Sequence, residues 1–352
     1  MKKRVLIVDD SPFVRRLLSD WLSADPEFEV AGAAPDGEEG AALAVKLKPD
    51  LITLDVEMPK LDGIEALELI MKLAPCPVVM VSSVTKQGAA QTIRALELGA
   101  VDFVTKPDGP SSIRLVHAKE ELLSKCRAAV IAKRSSFAKP SAEAPIRHIV
   151  KPTLSPASGS TDKVVVIASS TGGPRALTTL VSSLPKGFPA PILIVQHMPV
   201  GFTESFAKRL DQLGTVPVKE AAEGDKVVPG LALLAPGGRH MEVSSNGAIK
   251  FHDQPTLHGV RPAADYLFKS AVQAYGSRCL GVVLTGMGRD GASGALDIKR
   301  AGGLVLGESE ESAVIYGMPK AAFEIGAVQE QFPIEQMAAA MVSCLARRSR
   351  AA

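Results

Sequence analysis

Short β-branched runs, each followed by a helical pattern, constrain this chain more than any other feature. Val5-Leu6-Ile7-Val8 leads into a helix from Pro12, Leu51-Ile52-Thr53-Leu54 into one from Asp62, and Val78-Val79-Met80-Val81 into one near Gln87. A final strand from Val101 to Thr105 and a helix from Ser112 end a domain read as five strand-helix units, of which these four are the plainest. Such alternation predicts a parallel sheet covered by helices on both faces, because parallel strands need crossover connections and bury both faces. Between Arg134 and Asp162 the pattern stops: Pro140, Pro145, Pro152 and Pro156 interrupt Ser-, Ala- and Lys-rich sequence with no periodic apolar face, which reads as a linker. The alternation resumes with Val164-Val165-Val166-Ile167, Ile192-Leu193-Ile194-Val195 and Leu280-Gly281-Val282-Val283-Leu284. The expected organisation is α/β throughout: a five-stranded parallel domain at 1–133, a flexible linker at 134–162, a second doubly wound α/β domain at 163–346 and a frayed tail at 347–352.

The length of 352 residues and 46% hydrophobic content suffice for two such cores. With 40 basic against 38 acidic side chains there is no broad basic face for a phosphate backbone, so nucleic acid is not an expected partner. The second domain also shows no helix-turn-helix pattern or basic helix, which sets aside a DNA-binding regulator. No run reaches the roughly 18 apolar residues of a membrane span, and a cytoplasmic protein is expected. Cys76, Cys126, Cys279 and Cys344 are scattered without a CxxC pair and read as reduced thiols.

In an open parallel sheet, functional groups converge where strands end. Asp9 and Asp10 follow the first strand of the N-terminal domain and Asp55 follows the third. Their carboxylates could meet and hold a hard, oxygen-seeking cation such as Mg2+, with the positive charge of Lys106 nearby after the fifth strand. Any one of these acids alone would more often cap a helix. Together with Ser82 closing the fourth strand and Lys106-Pro107 closing the fifth, they resemble the receiver domain of bacterial response regulators, a flavodoxin-like fold. The resemblance implies that Asp55 accepts a phosphoryl group from a histidine kinase, that Asp9, Asp10 and Asp55 hold Mg2+, and that Lys106 contacts the phosphate. It further implies that Ser82 and Phe103 form the switch; for Phe103, ordinary core packing remains an equal reading.

In the second domain Ala168-Ser169-Ser170-Thr171-Gly172-Gly173-Pro174 joins a strand to a helix, with Pro174 suited to the first helical turn. Free N–H groups at such a turn can stabilise an oxyanion, but a helix cap or a phosphate loop explains the turn equally well. His197 in Val195-Gln196-His197-Met198-Pro199 and Asp290 in Leu284-Thr285-Gly286-Met287-Gly288-Arg289-Asp290-Gly291 end two further strands. Of six histidines, only His197 follows a buried-looking strand so directly. Nucleophile, base and orienting acid at like ends of three parallel strands predict an acyl-enzyme hydrolase: His197 takes the Ser170 proton, Asp290 orients the imidazole, and backbone N–H groups around Thr171 and Met287 receive the oxyanion. This chemistry needs no cofactor.

These segments, with Ala235-Pro236-Gly237-Gly238-Arg239-His240-Met241 and Gly317-Met318-Pro319, resemble the chemotaxis protein-glutamate methylesterases, in which a receiver precedes the hydrolase. The resemblance covers both domains. It implies the triad Ser170, His197 and Asp290, hydrolysis of glutamate methyl esters on methyl-accepting chemotaxis receptors, deamidation of selected glutamines, and activation by phosphorylation of Asp55. There are two departures. Ala168 stands where the family usually has Gly, which leaves Ser169 open as the reactive hydroxyl. Val260-Arg261-Pro262 lacks the His that often precedes Arg-Pro, and His258 lies nearby out of register. A receptor-demethylating paralogue outside flagellar chemotaxis would carry the same chemistry, and an adaptor with an idle hydrolase fold is the alternative from a different class.

Overall fold

The computed structural model describes residues 1–106, 112–132 and 162–346, divided between two compact units, Met1–Ala144 and Pro145–Ala352. The expected linker, apart from Asp162, and the expected tail lie outside the described residues. Among the described residues, no helix is long and apolar enough to cross a membrane.

The first unit runs β1 (Lys3–Val8), α1 (Pro12–Ser23), β2 (Phe28–Ala34), α2 (Gly37–Leu47), β3 (Leu51–Asp55), α3 (Gly63–Leu73), β4 (Val78–Ser82), α4 (Lys86–Leu98), β5 (Asp102–Thr105) and α5 (Ser112–Ile131). Every described strand pairing in it is parallel, in the order β2-β1-β3-β4-β5, the flavodoxin-like arrangement. Helix α1 forms because Ser11 accepts the Val14 N–H, Pro12 pre-sets the first turn, and Val14, Leu18 and Leu22 recur every four residues to bury one stripe. Asp62, expected to start a helix, is instead the cap of α3, in a reciprocal capping box with Glu65. The register Val8↔Leu54 sets Asp9 beside Asp55 at one rim, where β1 has β2 on one side and β3 on the other. Gly63 lets α3 approach this rim: a Cβ there would lie 2.0 Å from the Asp55 carbonyl oxygen.

The second unit contains β6 (Val164–Ser169), α6 (Gly173–Ser183), β7 (Ile192–Gln196), α7 (Thr203–Leu213), β8 (Val218–Glu220), β9 (Ala232–Leu234), β10 (His240–Val243), β11 (Ile249–His252), α8 (Ala264–Tyr275), β12 (Cys279–Val283), α9 (Ala292–Arg300), β13 (Leu304–Glu308), α10 (Met318–Glu324), β14 (Glu330–Phe332) and α11 (Ile334–Ala346). Seven strands form a parallel sheet in the order β14-β13-β12-β6-β7-β9-β8, and β10 and β11 form a separate antiparallel hairpin. Central strand β6 is buried along its whole length, which explains its unbroken Val-Val-Val-Ile-Ala run. From β6 the chain moves first to β7 on one side and later to β12 on the other. The crevice beyond the ends of β6 and β12 is therefore the topological switch point, where α/β sheets gather functional groups. The four cysteines are buried and form no disulfide with one another.

Candidate active site

Strand β6 hands its last residues to opposite faces, as a pleated strand must. Ala168 is fully buried in the apolar core, paired with Val283 and Val195. Its methyl group therefore belongs to the strand, and the turn begins only after Ser169; the left-handed residue of the turn is Gly172, at φ 78°. The methyl group that stands in place of the family's usual Gly thus lies within the strand, ahead of the turn. Ser169 is buried and donates to Gln196 Oε1 at 2.7 Å, whereas Ser170 is partly exposed at the strand end. Gly173 opens α6 against this pair, and a Cβ there would lie 2.0 Å from Gln196 Oε1. Neither serine caps α6, because its N-cap is Gly172, without a side-chain bond.

His197 immediately follows β7, and its Nε2 lies 2.7 Å from Asp290 Oδ2. Asp290, in the loop between β12 and α9, is 2% exposed. Its Oδ2 also accepts the Ala264 N–H at 2.6 Å, and Oδ1 accepts the N–H groups of Asp265 and Gly291 at 3.1 and 3.0 Å. Burial opposes its ionisation, but the hydrogen bond and charge of His197, with the amides at the start of α8, outweigh burial and hold its pKa below the usual carboxylate value. A carboxylate that only accepts forces the ring proton onto Nε2, so Nδ1 keeps the lone pair. No hydrogen bond joins the Ser170 and His197 side chains among the described residues; such contacts often tighten only with substrate bound. Met287 is exposed beside the crevice and Thr171 is buried beneath it.

Sequence reasoning missed the groups that brace this site. Gln196, at the end of β7, receives the Ser169 hydroxyl and donates through Nε2 to the carbonyls of Ser170 and His197, both at 3.0 Å. Thr285 accepts the Ser170 N–H through its carbonyl at 3.0 Å and donates through its hydroxyl to the Thr171 carbonyl at 3.0 Å. Asp265 accepts the Gly294 N–H at 2.7 Å and faces His258 Nε2 at 3.1 Å, so the out-of-register histidine pairs with an acid in the first turn of α8. His240 is fully buried, its Nδ1 accepting the Ala263 N–H, and burial lowers its pKa. Polar residues next to strand ends were the available signal, but their partners lie too far along the chain to be read from spacing.

Glu308, the last residue of β13, is 1% exposed, and burial pushes its pKa up from 4.5 to about 7. Between those two values the folded chain keeps a proton that the unfolded chain has lost. Stability therefore falls as pH rises through that window, by on the order of 3 kcal/mol, and this group leaves it level outside the window. Denaturant titrations at about pH 4 and about pH 8 should show this difference shrinking in Glu308→Gln. An unchanged pH dependence in the variant would refute the assignment.

At the rim of the first unit the predicted acids converge. Ligand oxygens of Asp9, Asp10 and Asp55 lie within 4.8 Å of one another. Lys106 Nζ is 2.7 Å from Asp55 Oδ2 and 3.2 Å from Asp9 Oδ2. Burial, reinforced by the charge of Asp9, raises Asp55 to about 6 against the pull of Lys106; burial also raises Asp9. The buried Asp9 Oδ2 has only this ion pair and no well-aligned donor, so an all-oxygen cluster with an unsatisfied anionic atom fits a hard divalent cation. Ser82 is buried and accepts from Thr92 Oγ1 of α4 at 2.8 Å. Phe103 is 2% exposed, with Lys125 Nζ 5.0 Å from its ring centroid, so in this conformation it is a packed side chain.

An acid-lined receiver unit, together with a parallel α/β unit bearing a strand-end serine beside a buried His–Asp pair, defines a receiver-linked hydrolase. The family model described as CheB methylesterase matches residues 165–341, and that of the response regulator receiver domain matches residues 5–117. A protein-glutamate methylesterase/protein-glutamine glutaminase of Thermotoga maritima is 48% identical over 327 residues, covering 92% of this chain and 93% of the relative. Proteins of the same name from Pyrococcus abyssi and Bacillus subtilis are 46% and 44% identical, covering 96% and 97% of this chain and 92% and 98% of their own lengths. The crystal structure of the Thermotoga maritima CheB methylesterase catalytic domain superposes with a TM-score of 0.50 at 43% identity, covering 53% of this chain and 98% of that one. The chain belongs to the CheB methylesterase family.

Proposed function

We propose that this protein is a phosphorylation-activated protein-glutamate methylesterase that hydrolyses glutamate methyl esters on methyl-accepting chemotaxis receptors in the cytoplasm, with a related deamidase activity on selected glutamines. The observation that carries the reading is the His197–Asp290 bond at 2.7 Å, formed at the ends of β7 and β12 on either side of Ser170. Nδ1 of His197 takes the Ser170 proton as Oγ attacks the ester carbonyl, and N–H groups of the Thr171 and Met287 loops receive the oxyanion. Collapse breaks the C–O bond to the methoxy group, which takes the proton from His197 and leaves as methanol, and water then releases the glutamate by the same path in reverse. Deamidation differs only in expelling ammonia. The esterase chemistry uses no cofactor.

In the receiver, Asp55 accepts the phosphoryl group from a histidine kinase, with Lys106 beside the incoming charge. Mg2+ held by Asp9, Asp10 and Asp55 would neutralise the phosphate oxygens. Ser82 then leaves Thr92 for the phosphate, with Phe103 following as the second switch residue. Methanol release from methylated receptor membranes, measured with and without a small phosphodonor and Mg2+, tests both halves of the proposal. Asp55→Asn should retain basal release and lose all stimulation by the donor. Stimulation persisting in that variant would remove Asp55 from the switch, and no release by the wild type from several receptors would favour the adaptor reading.

A further inference from the structure

The β12–β13 ladder stops at Val283↔Gly307, so beyond it the Thr285 N–H points at no strand. The side chain of Glu308 takes that place: Oε2 accepts the Thr285 N–H at 2.8 Å, and Oε1 accepts the Ser312 hydroxyl at 2.8 Å. Ser312 is itself tied down, accepting the Ile334 N–H at 2.9 Å. From Thr285 the connections run into the crevice. Its carbonyl takes the Ser170 N–H, its hydroxyl takes the Ile315 N–H and reaches the Thr171 carbonyl, and the next residue, Gly286, bonds Ile315 and Met318. A buried carboxyl is an expensive way to satisfy one amide. Among the described residues no cation pairs with Glu308, and the charged group that reaches it, Glu335 of α11, repels it. What the side chain does here is bridge the Thr285 N–H and the Ser312 hydroxyl.

We propose that Glu308 is a positioning residue of the esterase, whose carboxyl holds Thr285 and thereby sets the nucleophile turn and the Met287 oxyanion loop in mutual register. The inference rests on the function proposed above and deepens it. Its reach, one methylene longer than aspartate, is what matters, because the acceptor must meet an amide beyond the end of the ladder. Glutamine keeps that reach and one acceptor oxygen, and its amide nitrogen can donate to Ser312.

The test compares the full-length wild type with Glu308→Gln, Glu308→Asp and Glu308→Ala. The readouts are the rate at which a small fluorophosphonate labels Ser170, the kcat and KM of methanol release, and a denaturant titration as a check on folding. Glu308→Gln should label Ser170 within about threefold of the wild-type rate. Glu308→Asp and Glu308→Ala should be slower by at least about tenfold, with kcat falling in parallel and KM nearly constant, because displacing an oxyanion donor slows the chemical step. Should Glu308→Ala fail to fold, the Gln and Asp pair still decides the matter. Wild-type labelling by folded Glu308→Asp or Glu308→Ala would overturn the proposal, as would a slow Glu308→Gln beside a fast Glu308→Asp, which would make charge the relevant property. If the labelling order holds but even the wild type releases no methanol, the substrate assignment fails while the role of Glu308 stands. Methanol release without the order fails the role alone.

Discussion

Ser170→Ala should abolish methanol release, lowering kcat by about 10^6, while Asp55 still takes up phosphate from a small donor. The magnitude follows from losing covalent catalysis altogether, since His197 and Asp290 have no nucleophile to activate, and only a residual rate from binding and the loop amides remains. The neighbouring serine provides the control. Ser169 is fully buried and donates to Gln196, which bonds the carbonyls of Ser170 and His197. Ser169→Ala should therefore remain an esterase, slower by about tenfold and less stable by about 1–2 kcal/mol, because one buried acceptor loses its donor. Mass spectrometry of the fluorophosphonate-labelled protein identifies the reactive residue directly. A label on Ser169, or wild-type turnover by Ser170→Ala, would end the present assignment.

The second large effect is expected from Asp290→Asn, with kcat reduced by about 10^4 and the fold retained. Both oxygens of Asp290 are committed: Oδ1 to the amides of Asp265 and Gly291, Oδ2 to that of Ala264 and to His197 Nε2. An asparagine has one acceptor to divide among these four donors. If its oxygen stays with Asp265 and Gly291, its NH2 group faces both the Ala264 N–H and the imidazole. The ring must then move its proton to Nδ1, the nitrogen needed as base. The donor–donor clash at Ala264 should also lower stability, by about 1–3 kcal/mol. Methanol release and chemical denaturation on the same preparation separate the two effects. A variant that is less stable yet fully active would mean that Asp290 serves the fold and not the chemistry.

Much of this was legible in the sequence because it depends on local order. Short β-branched apolar runs alternating with helical patterns read as strands buried on both faces, and acids or a histidine directly after them fall at one edge of a parallel sheet. That logic brought together Asp9, Asp10 and Asp55, and separately Ser170, His197 and Asp290. It says less where neighbours in sequence take opposite fates. Ser169 and Ser170 are adjacent and alike in chemistry, and Ala168 stands where the family usually has Gly. Their surroundings differ only in the tertiary structure: Ala168 and Ser169 are both buried within β6, while Ser170 is the first residue beyond it. Phe103 shows the same limit, since only packing against Lys125 reveals a buried ring.

By itself, then, the sequence determined the two parallel α/β domains and the strand ends at which chemistry collects, because periodicity and chain order suffice to specify both. Only the tertiary structure decided which side chains reach one another there. Gln196 bracing both serines, Asp290 seated on the amides of α8, and Glu308 completing the ladder beneath Thr285 are contacts between residues 23 to 27 positions apart. Hydrogen bonds of that kind depend on strand order and register, which no local pattern encodes.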